Sequence, residues 1–332
     1  MEQKRIVPQK LSPGEEVRVI SPARSMSIIS SSVRSIALKR LQELGLKVSF
    51  SKHCEENDTF HSSSVRSRLE DLHDAFSDTK VKAILTTIGG YNSIQLLSGI
   101  DYKLIQKNPK ILCGYSDITT LQNAIFAQTG LVTFSGPHFS TFGCVKGIEY
   151  AVEYFQKCLF SDQPFEVSPS DSWSDDEWYL EQEKRIFMPN PGLIFIQPGK
   201  AKGTIIGGNM GSLTILQGTD YMPSLHNSIL FLEDNYPMTA EVFDRHLHAL
   251  ILQKDFQFVK GIVIGRFQKE SNISMDALAT IIHSKNELRS MPVIAGADFG
   301  HTMPLFTFPI GGIVEMDVSS SMIKLKISSA VI

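Results

Sequence analysis

The stretch KILCGYSDITTLQNAIFAQTG, residues 110–130, decides how the chain is read. Ile111 to Cys113 is an apolar run of strand length, and Gly114-Tyr115-Ser116 breaks it. Ile118 to Ala127 then carries apolar residues at helical spacing. The same succession recurs on both sides. Upstream, Val17 to Ile20 is a short strand ending at Ser21-Pro22, and Val33, Ile36, Ala37, Leu41 and Leu44 form a helical face that stops at Gly45. Val48 and Phe50 alternate with polar neighbours, as in a strand. Val65, Leu69, Leu72 and Phe76 mark one face of an amphipathic helix. Val81 to Ile88 reads as a buried strand running into Gly89-Gly90. Downstream, Leu131 to Phe134 is a strand and Ile148 to Leu159 a helix. Strands alternating with helices of this length predict right-handed crossovers and a largely parallel sheet. Such a sheet places ligands at the carboxyl ends of its strands, where both glycine turns fall.

The chain has 332 residues, about twice the ~150 of a typical domain, which predicts two domains. We place an N-terminal α/β domain at 1–160, a linker and loop at 161–190, and a strand-rich α/β domain at 191–332. The last contains LIFI, GTIIGG, SILFLED, GIVIG and the alternating IVEMDVSSSMIKLKI hairpin, with helices near 240–252 and 275–288. Lys plus Arg is 32 against 35 Asp plus Glu, a formal charge of −3. A chain so close to neutral lacks the basic face that nucleic acid or an anionic membrane requires. No apolar run approaches the ~20 residues of a membrane span, and the first residues lack the apolar core of a signal peptide. Cys54, Cys113, Cys144 and Cys158 form no CxxC pair, which argues against a zinc ribbon and fits a reduced, cytoplasmic protein.

Residues 161–199 break the pattern. The segment is polar and acidic, yet it holds both tryptophans, Trp173 and Trp178. A lid over a planar ligand and a loop packed on its own domain both account for them.

Ser116 sits at the apex of the strand–turn–helix. That is the position of a nucleophile elbow, although the GxSxG form is absent. It is equally the position of a helix N-cap, and read alone the tetrapeptide GYSD fits a cap better. A serine nucleophile needs a base and a group to orient it. His138 follows a strand end, and His301 lies in a glycine-flanked loop after the strand PVIA; both are loop histidines suited to a cleft. His246 and His248 are two apart on a helix, on different faces, and make a poor metal pair. Glu233 and Asp234 end the strand SILFL, so one carboxylate can enter a cleft. Gly89-Gly90-Tyr91-Asn92 can present backbone N–H groups to an anion, and Gly207-Gly208-Asn209 ends a further strand. There is no Walker lysine and no GxGxxG.

Together these segments resemble the LD-carboxypeptidase family of serine peptidases. The matching pieces are SPA (21–23), TIGGYNSIQLL (87–97), GYSDIT (114–119), IIGGN (205–209), FLED (231–234) and GADFGHTMP (296–304), in the family's order along nearly the whole chain. The resemblance implies Ser116 as nucleophile, His301 as general base and Glu233 as its orienting carboxylate, with the N–H groups of Gly90 and Asp117 as oxyanion hole. Gly89, Asn92 and Asn209 become expected substrate-binding positions. It further implies a flavodoxin-like N-terminal domain, a strand-rich C-terminal domain, a homodimer, and neither metal nor organic cofactor. GGYNS and the long acidic loop at 169–186 resemble the microcin C self-immunity branch, which cleaves the amide of peptidyl- and aminoacyl-adenylates. In that branch a loop aromatic stacks on the base, a role for which Trp173 and Trp178 are the candidates. The expected partner is thus a small peptide or peptidyl-nucleotide. A murein LD-carboxypeptidase with the same triad, or a two-domain binding protein without catalysis, are the alternatives.

Overall fold

The alternation read from the first 160 residues builds one parallel sheet. In the computed structural model, which describes residues 4–332, its strands are β1 (Glu16–Ile20), β2 (Lys47–Phe50), β3 (Val81–Thr86), β4 (Ile111–Gly114) and β5 (Thr133–Ser135). They pair in the order β5-β4-β3-β1-β2, every pair parallel. This is the flavodoxin-like order, with a topological switch between β1 and β3. The crossovers are helices α1 (Ser31–Glu43), α2 (Val65–Ser77), α3 (Tyr102–Lys107) and α4 (Ile118–Thr129), and α5 (Glu149–Leu159) follows β5. Their buried faces follow most of the sequence pattern: Val33, Ala37 and Leu41 of α1, and Leu72 and Phe76 of α2, are buried, while Val65 at the first turn of α2 is exposed. Helix α3 and a 3₁₀ stretch over Ser93–Gly99 were not expected. A 3₁₀ turn repeats every three residues, so Leu96 and Leu97 leave no α-helical period.

Residues 161–190 are less bare than a linker. They supply β6 (Phe165–Glu166) and a small hairpin of β7 (Ser172–Trp173) and β8 (Met188–Pro189). The second large sheet uses β9 (Ile194–Gln197), β10 (Gly199–Asn209), β11 (Ser228–Glu233), β12 (Gly261–Gly265) and β13 (Val293–Ala297). Then β14 (Phe308–Ile310) leaves for the first sheet, and β15 (Ile313–Ser319) and β16 (Met322–Ile327) return. The order is β6-β16-β15-β10-β11-β12-β13-β9. At its centre β10 to β13 run parallel, so this sheet too has an edge of carboxyl ends. Helices α6 (Met210–Thr214), α7 (Ala240–Ile251) and α8 (Met275–His283) complete it.

Two features bind the halves. β14 pairs antiparallel with β5, placing Phe308 opposite Ser135, and Phe231, Phe299, Phe306 and Phe308 pack in one aromatic cluster. Helix α4 lies against β10: Asn123 Nδ2 donates to the Gly207 carbonyl at 2.9 Å, and the Asn209 N–H donates to Thr119 Oγ1 at 3.0 Å. The carboxyl ends of the two parallel sets are thereby brought face to face. All four cysteines are free and buried, and among the described residues no helix is long and apolar enough to cross a membrane.

Candidate active site

β4 ends at Gly114, and the chain turns through Tyr115, Ser116 and Asp117 into α4. The turn forces Ser116 to φ +62, a left-handed conformation that costs a non-glycine residue about 1–2 kcal/mol. Neither serine nor aspartate caps the helix. Asp117 stands at the N-cap without a side-chain bond; its carboxylate instead accepts the Ser93 N–H at 2.9 Å. The strained serine therefore keeps its hydroxyl free to project from the strand end, as in a nucleophile elbow. Gly89 lets the neighbouring turn close on it: a β-carbon there would lie 2.9 Å from Ser116 Oγ.

Ser116 Oγ is 3.0 Å from His301 Nε2, and His301 Nδ1 is 2.8 Å from Glu233 Oε2. An Nδ1–H donated to the carboxylate leaves Nε2 as acceptor for the serine hydroxyl. Ser116 comes from the end of β4, Glu233 from the end of β11, and His301 from the loop after β13. No two of them share a secondary-structure element. His301 is half-buried and Glu233 is buried. Burial pulls the imidazole pKa down, but the charge and hydrogen bond of Glu233, aided by Asp234, outweigh it and raise the pKa.

Behind Glu233 lies a polar cradle. Asn209 Nδ2 reaches Glu233 Oε1 at 3.4 Å and Asp234 Oδ1 at 2.9 Å, while Asn209 Oδ1 accepts the Ser212 N–H. Asp234 also accepts the N–H groups of Gly211 and Asn235. Burial and the Glu233 charge push its carboxyl up to about 6. The structure thus places Asn209, an expected substrate contact, underneath the carboxylate with both ends of its amide engaged. The support given by Asp234 was not anticipated. The pair FLED signalled two carboxylates, but not that both turn to the same side beyond the strand end.

Asp117 follows Ser116 directly and Gly90 follows Gly89, whose turn closes on Ser116; among the described residues the N–H groups of Gly90 and Asp117 have no acceptor. Asn92 is half-buried: its carbonyl accepts from Arg68, and its Oδ1 is buried with no partner among the described residues. His138 is no second base in the cleft. It is buried, hydrogen-bonded to Thr86 Oγ1 at 2.7 Å and stacked on Tyr115 at 4.3 Å. Burial, with the His301 charge, drives its pKa down to about 3 and keeps it neutral.

The tryptophans separate. Trp173 lies on β7 under two cations, with the Arg266 guanidinium 4.9 Å and Lys269 Nζ 5.8 Å from its ring centre. Trp178 packs against Cys144, Ile148, Ala151, Met303 and Leu305. Ser174 and Met303 exchange backbone hydrogen bonds of 2.7 and 2.8 Å, which tie the loop to the segment carrying His301. Arg266 Nη2 pairs with buried Asp298 at 2.9 Å, and Asp298 accepts the Ser170 N–H and Asn190 Nδ2, an anchor that sequence reading missed. Among the described residues no group of three or more His, Cys, Asp or Glu side chains is arranged to hold a metal.

A serine, a histidine and a carboxylate lined up across two parallel-strand edges is an arrangement shared by serine hydrolases, and the sequence relationships give the class. Residues 17–136 match the LD-carboxypeptidase N-terminal domain and 202–316 the LD-carboxypeptidase C-terminal domain. The chain belongs to the LD-carboxypeptidase family of serine peptidases. Among its relatives is the Bacillus subtilis (strain 168) protein named "Putative carboxypeptidase YocD", 53% identical over 94% of this chain and 96% of its own. The crystal structure of an MccF-like protein from Bacillus anthracis str. Ames has a TM-score of 0.96 and 54% identity, covering 98% of this chain and 99% of that one. The microcin C7 self-immunity protein MccF, in complex with aspartyl sulfamoyl adenosine, has a TM-score of 0.88 and 28% identity over 98% of each chain.

Proposed function

We propose that this peptidase hydrolyses the amide bond of peptidyl- or aminoacyl-adenylates through a Ser116–His301–Glu233 triad. The observation that carries the reading is the unbroken hydrogen-bonded line from Ser116 Oγ through His301 to Glu233, at 3.0 and 2.8 Å. Ser116 Oγ attacks the amide carbonyl while His301 Nε2 takes its proton. Glu233 holds the tautomer and stabilises the imidazolium. The N–H groups of Gly90 and Asp117 receive the oxyanion, each such donor being worth about 3–4 kcal/mol. His301 then protonates the leaving amine, and afterwards activates water to release the acyl group.

The MccF complex with aspartyl sulfamoyl adenosine supports the substrate class, as does a tryptophan-bearing loop fastened beside His301. A second reading, a murein LD-carboxypeptidase with the same triad, is favoured by the family itself. The homodimer implied by the resemblance belongs to the proposal, and light scattering on the purified protein tests it. For the activity, a mass-spectrometric time course follows an equimolar mixture of an aspartyl-adenylate amide analogue and an L,D-muropeptide, with Ser116→Ala as control. We expect Ser116-dependent loss of the adenylate. Loss of the muropeptide alone moves the protein to the second reading, and loss of neither overturns both.

A further inference from the structure

Strands β4, β3 and β1 lie side by side and parallel, so their carboxyl ends open on one edge. β4 leads to Ser116, β3 to Gly89-Gly90, and β1 to Ser21-Pro22-Ala23-Arg24. The gap between β1 and β3 is the switch point of the sheet, the crevice in which doubly wound folds hold ligands. Arg24 stands at that crevice. Its N–H donates to the Gly89 carbonyl at 3.3 Å, and a β-carbon on Gly90 would touch its Cγ at 3.2 Å. The side chain thus leaves the backbone against the peptide whose Gly90 N–H has no acceptor.

The guanidinium lies 5.3 Å from the ring centre of Tyr91, which is 78% exposed. Arg24 is half-buried, and among the described residues it pairs with no carboxylate and its guanidinium meets no acceptor. The cation beside it is committed. Arg68, which reaches the neighbouring Pro22 and Asn92 carbonyls, is also spent on the Ser63 carbonyl and on Gln95; farther along the chain Arg266 pairs with Asp298 and Arg185 with Asp176. A guanidinium fork matches carboxylate and phosphate oxygens in pairs. Resting on the peptidase reading above, we propose that Arg24, backed by Tyr91, anchors the anionic group of the substrate, a carboxylate or phosphate attached near the scissile amide.

Binding is read by calorimetry on full-length Ser116→Ala protein, with and without Arg24→Gln. Two matched pairs of probes are used: AMP against adenosine, and an L,D-dipeptide acid against its C-terminal amide. With Arg24 present, the charged member of one pair binds more tightly. Arg24→Gln weakens that member roughly 10- to 100-fold, the range of a charge-assisted hydrogen bond, and leaves the neutral member unchanged. Loss confined to the AMP pair assigns a phosphate, and loss confined to the dipeptide pair a carboxylate. Arg24→Lys, which keeps charge without the fork, recovers part of the affinity.

The proposal is overturned if the charged probes bind equally with and without Arg24, or show no preference when it is present. It is also overturned if both members of a pair weaken together. Turnover by the Ser116 protein is scored separately: Arg24-dependent binding without turnover overturns the peptidase reading and leaves the anion site standing.

Discussion

The carboxylate of Glu233 occupies the space that a side chain on residue 300 would need: a β-carbon on Gly300 would lie 2.3 Å from Glu233 Oε2. Gly300 also holds φ +104, where an L side chain is strained. Gly300→Ala should therefore displace Glu233 from His301 and destabilise the fold by about 1–3 kcal/mol. Urea unfolding reads the second effect, and turnover should fall well beyond what the unfolded fraction explains.

Ser116 tests the elbow against the cap. A serine N-cap lost to glycine costs a few tenths of a kcal/mol, whereas glycine accepts the φ of +62 without strain. Ser116→Gly is expected to abolish turnover while holding stability level or raising it by up to about 1 kcal/mol. Turnover that survives Ser116→Gly would remove the residue from the nucleophile's role.

The pH profile follows from two groups. Glu233 raises His301 above the ordinary value of 6.5, and its neutral form is the one that accepts the serine proton. kcat/KM should accordingly rise with pH through a midpoint above 6.5. Glu233→Gln removes the raising charge, so the midpoint moves down while turnover falls about 10⁴-fold. A midpoint that Glu233→Gln leaves in place would break the coupling.

Asp234 acts on stability with the opposite visibility. Its carboxyl is raised from 3.8 to about 6, so the folded state holds this proton more tightly than the unfolded chain. Its stabilising contribution is full below 3.8 and disappears as pH rises through about 6, a change of about 1–3 kcal/mol. Asp234→Asn should flatten that part of the stability curve measured by denaturant titration.

The two tryptophans should answer differently. Trp178→Ala removes a ring packed on Met303 and Leu305 and should cost about 2 kcal/mol of stability. Trp173→Ala loses its contacts with Arg266 and Lys269, worth about 0.5–1 kcal/mol each. If either ring stacks on a base, its loss weakens base-containing ligands by a further ~1–3 kcal/mol, with no effect on ligands lacking a base. Binding of AMP and of a base-free dipeptide separates these outcomes.

Much of the first sheet was legible because burial leaves a period. Leu72 and Phe76 of the α2 pattern are buried, while Val65 at its first turn is exposed; the apolar run from Val81 marks β3, which ends at Thr86, two residues before Ile88. The three residues of the relay were named through ordered motifs, since GYSD by itself reads as a cap and His138 looked as suitable as His301. Strand β14 left no such trace. Its three residues are buried in the first sheet, although they follow β13 of the second, and a sequence carries no mark of which sheet a short apolar run will join.

What the sequence determined alone was the local order of the periodic segments: the main strands and helices of the first sheet, and that turns rich in glycine fall at strand ends. Tertiary structure decided what those ends meet. Ser116, Glu233 and His301 touch because α4 docks on β10 through Asn123 and Thr119 and so sets two parallel edges against each other. Packing within each half settled the rest: Thr86 and Tyr115 enclose His138, the β10–β11 pairing sets Asn209 beneath Glu233, and Arg24 lies against Gly90 and Tyr91 with, among the described residues, no acceptor on its guanidinium. Hydrophobic period is a property of neighbours in the chain, whereas a site is a property of neighbours in space, and only the packing of both sheets supplies the latter.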